Sequence, residues 1–123
     1  MPTSMLDRAR ELRSTIDAQA SKTEGTELPK ETVDALMGAG LFGVLTPKEV
    51  GGSELSVCEL LDVFAEVARA DGSAGWCLMA GASTIGYFGA YAEEPVVGEL
   101  FADGIPLAAG QFAPNGTATR EAD

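Results

Sequence analysis

Apolar residues recur at helical spacing along most of this chain. Leu6, Ala9, Leu12, Ile16 and Ala20 share one side of a stretch over residues 4–21, with charges opposite. Ser4, with Asp7 three residues on, predicts the N-cap of that first helix. The polar run "SKTEGTE" (21–27) reads as a connector. A second helix begins at "LPKET", where Pro29 suits the first helical position and Glu31 suits the helix dipole; Gly38 and Gly40 mark its end. In "LFGVLTPKEVGGSEL" (41–55), Pro47 and Gly51-Gly52 break any helix, so the stretch reads as a loop with apolar anchors.

Ser56-x-x-Glu59 is a capping box that opens a third helix. Its expected apolar stripe is Val57, Leu60, Leu61, Phe64 and Val67, with Glu59, Asp62, Glu66 and Arg69 mostly off it. "RADGS" (69–73) predicts a tight helix–helix turn, with Asp71 or Ser73 capping the next helix. That fourth helix carries no charge from Ser73 to Ala92 and is apolar nearly all round, so other elements are expected to surround it. Ala82, Gly86 and Ala90 fall four apart, a seam where another backbone can approach. Its length is that of a membrane span, but its glycines and acidic flanks fit a buried helix of a soluble domain. A short fifth helix, "EPVVGELFA", ends at Asp103-Gly104.

After Gly104 the pattern changes. Ile105 to Phe112 fits a strand, and Pro114-Asn115-Gly116 fits a turn. The expected fold class is therefore all-α: four or five antiparallel helices over residues 1–103, then the first strand of a truncated β domain over 104–123. A lone strand lacks partners for its backbone groups.

Composition narrows the chemistry. A net charge of −11 opposes binding to nucleic acid and to anionic lipid. The chain has no histidine, which removes Ser–His and Cys–His catalysis and histidine metal sites from within it; no metal ligand set is expected. Cys58 and Cys77 sit in apolar helical patterns and are expected as buried free thiols in a reducing compartment. The N-terminus has no apolar core of signal-peptide length, which leads to the expectation of a cytoplasmic protein.

Few residues announce a site. Gly51-Gly52-Ser53 lacks Walker or Rossmann spacing and reads as a structural turn. Glu66 and Asp71 are candidate acid/base groups or, on the plainer reading, a surface residue and a cap. Trp76 and Met79 are core or ligand contacts. Gln111 either meets a ligand or faces solvent.

The segments "GLFGVLTPKEVGGSELS", "LLDVFAEVARADGSAGWCLMAGAS" and "PLAAGQFAPNGTA" come in an order that resembles the N-terminal part of the acyl-CoA dehydrogenase superfamily. The resemblance spans residues 28–119. It implies an N-terminal helical domain that precedes a β-barrel-like domain and a C-terminal four-helix bundle, with FAD between the latter two. The catalytic base of dehydrogenase members lies in that bundle, so the resemblance assigns no catalytic residue here. It implies an acyl-CoA substrate, oxidation at a CH–CH bond, and a homotetramer of the full-length protein. The isolated chain is expected to be inactive.

Residues 108–118 resemble the family's Tyr-x-x-Thr-Glu-Pro-x-x-Gly-Ser run, which contacts the flavin ring. Pro114 matches its proline, Phe112-Ala113 replace Thr-Glu, and Ala118 stands at the serine. The resemblance thus implies Gln111 and Phe112 at the ring, Thr117 and Ala118 on the phosphate or substrate side, and Trp76, Met79, Ser83 and Phe88 walling the substrate cavity. "Q-F-A-P-x-G-x-A" with "DGSAGW" looks closer to a second branch, the two-component flavin monooxygenases. These hydroxylate aromatic or steroid-derived substrates with FMN or another reduced flavin. Many of them carry a histidine near the position of Thr84. A non-catalytic helical interaction module is the remaining alternative.

Overall fold

The structure, a computed structural model, describes residues 2–25 and 27–122. Met1, Thr26 and Asp123, which fall in the expected domains and connector, lie outside the described residues. Six α-helices form among those described: α1 (Met5–Glu11), α2 (Arg13–Gln19), α3 (Lys30–Gly38), α4 (Val57–Ala70), α5 (Gly72–Tyr91) and α6 (Glu94–Leu100).

The expected first helix is divided at Leu12 into α1 and α2, and a 3₁₀ turn extends it over Ala20–Glu24. The Leu12 N–H is shared between the carbonyls of Arg8 and Ala9, so the two halves remain nearly continuous. Ser4 caps α1, its hydroxyl accepting from the Asp7 N–H at 3.1 Å. Pro29 is the N-cap of α3, one position earlier than expected. Both arms of the Ser56/Glu59 capping box are formed at α4. Asp71 alone separates α4 from α5, and its carboxylate accepts from the Ser73 N–H at 2.9 Å.

The core lies between the hairpin α4/α5 and the layer of α1 to α3 with the loop after them. Val63, Val67 and Ala70 of α4 meet Ala74, Leu78 and Ala82 of α5 in one cluster, which Ile16, Leu36, Leu41 and Val44 complete. At the hairpin's base, a Cβ on Gly75 would stand 2.6 Å from the Ala68 Cβ, so only glycine admits this approach. Along α5, Phe42 covers Gly81, Leu45 covers Gly86, and Thr46, Pro47 and Phe101 cover Gly89. The expected seam is therefore occupied at Ala82 and Gly86, but Ala90 is exposed.

The loop over 41–55 is pinned by its own backbone. Ser53 donates to Gly43, Glu54 to Thr46 and Leu55 to Val44, all within 3.1 Å. A side chain at Gly52 would collide with the Thr46 carbonyl, and Gly51 has φ +95°, so the Gly-Gly pair is a structural turn. Thr46 is wholly buried there, with its hydroxyl unpaired.

Three expectations are corrected. Val57 and Leu61 are exposed rather than part of the α4 stripe, where Val63, Glu66 and Ala70 are buried instead. Cys58 and Cys77 are exposed, because both fall outside the inward-facing rows of their helices. Glu66 is only 2% exposed and forms ion pairs with Arg13 of α2 and Arg69 of α4. Its burial opposes ionisation, but the two guanidinium groups prevail and hold its carboxyl below the usual value.

Residues 105–122 form no helix or strand among the described residues. The expected strand forms no ladder there, since a strand exists only with a partner to receive its hydrogen bonds. The Asn115 N–H does donate to the Ala113 carbonyl at 2.8 Å, a tight turn around Pro114. No helix among the described residues is long and apolar enough to cross a membrane.

Candidate functional site

The α5 helix is not enclosed. Its inner row is sealed, whereas its outer face shows Trp76 (69% exposed), Tyr87 (60%) and Tyr91 (81%). Helical spacing aligns Trp76, Met79, the pair Ser83–Thr84 and the pair Tyr87–Phe88 along one stripe, on successive turns. This stripe is one wall of a groove of about 610 Å³.

The other wall comes from the extended segment after α6. Ile105 packs against Gly43, and the Ala108 carbonyl lies 3.5 Å from where a Gly81 Cβ would stand. Gly110 then passes directly over Thr84: a Cβ there would sit 2.6 Å from the Thr84 hydroxyl. That hydroxyl already donates to the Ala80 carbonyl at 2.9 Å, so its polar atom is satisfied within α5. The close approach sets Gly110, Gln111 and Phe112 along the groove's edge.

The structure thus brings together six of the expected residues. Trp76, Met79, Ser83 and Phe88 line the groove from the helix, Gln111 and Phe112 from the extended segment. Thr117 and Ala118 are exposed and do not border it. Sequence reasoning misses Tyr87, although its position one turn beyond Ser83 was the available signal. Tyr87 also stacks obliquely with Tyr91, their ring centroids 6.1 Å apart.

The groove is electrically bare. None of its lining residues is charged. Its polar groups are neutral: the Ser83 and Tyr87 hydroxyls, the Trp76 indole N–H and the Gln111 amide. The main chain from Ile105 to Phe112 has no main-chain hydrogen-bond partner among the described residues, so its donors and acceptors are available. Such a surface can hold a flat ring between aromatic faces and pair its polar rim with unpaired backbone groups. It holds no acid, base or nucleophile with a partner to activate it. A smaller hollow of about 360 Å³ lies beside the N-terminus of α5, also bordered by Trp76, with Thr23, Leu28, Ser73 and Cys77.

The pattern that defines the family described as acyl-CoA dehydrogenase, N-terminal domain, matches residues 4–94. The chain belongs to the acyl-CoA dehydrogenase family. Its helices are the N-terminal helical domain of that family, and the wider family is one of flavin-dependent oxidoreductases. The chain is 34% identical over 121 residues to a pigment production hydroxylase of Rhodococcus sp., covering 93% of this chain and 30% of the hydroxylase. It is 32% identical over 87 residues to an indole-3-acetate monooxygenase of Acinetobacter baumannii, covering 69% of this chain and 22% of that enzyme. An indole-3-acetate monooxygenase of Pseudomonas putida is 33% identical over 58 residues, covering 47% of this chain and 15% of that enzyme. The chain therefore spans less than a third of the length of these relatives. No solved structure gives a significant match.

Proposed function

We propose that this chain is the N-terminal part of the oxygenase component of a two-component flavin-dependent monooxygenase acting on an aromatic ring. The observation that carries the reading is the groove, with Trp76, Tyr87, Phe88 and Phe112 around a neutral polar rim. The hydroxylase and monooxygenase names of the relatives favour this branch over acyl-CoA dehydrogenation. So does "QFAP" (111–114), which lacks the hydroxyl-bearing residue expected at a dehydrogenase's flavin ring.

The residues present fit a reduced flavin, whether FMN or FAD. The free main-chain donors and acceptors at 110–112 suit the polar edge of a flat ring system, and Gln111 adds a neutral amide. When bound, the reduced flavin would supply two electrons to O2 and become oxidised; the ring C–H would supply the other two, taking one oxygen atom as a hydroxyl while the second leaves as water. Trp76, Met79 and Phe88 then orient the aromatic substrate and exclude water from the reacting faces. Ser83 positions a substrate hydroxyl or N–H. Thr117 and Ala118 remain candidates for contacts made outside the groove.

Residues 104–123 are read as the start of the middle domain, and turnover requires the remaining length that the relatives possess. The assembled protein is read as a tetramer. The test is to supply the complete gene product with reduced flavin, ¹⁸O2 and indoles or phenols. One ¹⁸O atom in a hydroxylated ring is the expected result. Formation of an enoyl-CoA from an acyl-CoA, with no labelled product, would establish dehydrogenation instead. The 123-residue chain alone is expected to catalyse neither reaction.

A further inference from the structure

All but one of the chain's eight basic residues precede Ala70; from Ala70 to Thr119 there is no Lys or Arg. That same stretch holds every groove-lining residue and five carboxylates, Asp71, Glu93, Glu94, Glu99 and Asp103. An anion entering the groove meets no counter-ion. It exchanges water for aromatic faces and neutral dipoles, an unfavourable transfer for a carboxylate. The chain as a whole carries a net charge of −11, of the anion's own sign, which adds repulsion rather than relief. A neutral aromatic body incurs neither cost. Four aromatic side chains can flank it, and Ser83, Gln111 and the Trp76 N–H can pair with a hydroxyl, amide or ring N–H.

We infer that the groove on α5 selects uncharged aromatic ligands and discriminates against aromatic carboxylates. This rests on the monooxygenase reading above and narrows its substrate class. It separates this chain from the two relatives named for indole-3-acetate, whose named substrate is a carboxylate.

Indole-3-acetamide and indole-3-acetate test it, being nearly equal in size and differing by one charge. Each is titrated into the ¹⁵N-labelled chain at neutral pH, following the indole N–H signal of Trp76, the sole tryptophan. The amide is expected to bind about fivefold more tightly than the acetate, or better. Gln111→Arg places a cation on the groove's exposed edge and should tighten acetate binding while leaving the amide nearly unaffected. Equal or tighter binding of the acetate by the unaltered chain would overturn the charge discrimination and leave the aromatic groove standing. If neither compound moves the Trp76 signal, the groove itself is not a ligand wall, and both readings of it fall.

Discussion

The two faces of α5 both lack charge and serve opposite ends. On the inner face, Leu78, Ala82 and Ile85 are at most 1% exposed, and the first two join the core cluster with α4 and the loop after α3. On the outer face, Trp76, Tyr87 and Tyr91 are mostly exposed, although they are the larger side chains. Burial of large apolar groups is the main stabilising term in folding. A fold that leaves its lone tryptophan uncovered while sealing alanine and glycine is not using that tryptophan for the core. The inner face is thus assigned to stability and the outer face to contact with something else.

Substitutions can break or sharpen this contrast. The largest expected effect is Leu78→Ala, which opens a cavity in the sealed row and should cost about 3 kcal/mol in denaturant unfolding. Gly75→Ala comes next, because its methyl would meet Ala68 backbone and side chain within 2.8 Å; a loss of about 2 kcal/mol is expected. If either proves neutral, the inner face is not the sealed core described above.

Glu66→Gln should cost about 1 kcal/mol, a modest figure because both arginine partners stand more than half in water. The pH dependence has a definite sign. The folded-state pKa of Glu66 lies below its ordinary 4.5, so its stabilisation is present above that pH and is lost as acid protonates the folded form. Stability measured from pH 6 down to pH 3 should fall more steeply in the parent chain than in Glu66→Gln. The smallest stability effect is expected at the outer face. Trp76→Ser and Tyr87→Ser should each change unfolding by less than about 0.5 kcal/mol while weakening aromatic ligand binding at least about tenfold. A large loss of stability there would erase the distinction between the two faces.

Much of the helical frame is legible in the sequence because caps and breakers act locally. Ser4, Ser56 and Asp71 each hydrogen-bond within three residues, so their roles follow from spacing alone. Features that depend on distant partners are not legible. Glu66 reads as a surface residue until Arg13, 53 positions away, is brought beside it. Leu61 fits an apolar stripe by periodicity, but no element covers it. The groove was half legible: the α5 residues share a helical face, whereas their meeting with Gln111 and Phe112 depends on Gly110 crossing Thr84. The segment 105–112 has the composition of a strand, yet strand formation is a property of neighbours.

The glycines of α5 also bear on the order in which the chain folds. Gly75, Gly81, Gly86 and Gly89 lie within a helix of 20 residues, and each costs roughly 1 kcal/mol of helix propensity relative to alanine. Cut out as a peptide, residues 72–91 should be largely unstructured in water, whereas the α4 segment begins with a complete capping box. The α5 helix is therefore expected to condense late, when Phe42, Leu45 and Pro47 settle onto its glycines and supply the missing free energy. Amide-exchange protection along α5 then becomes a gauge of whether the loop over residues 41–55 has docked.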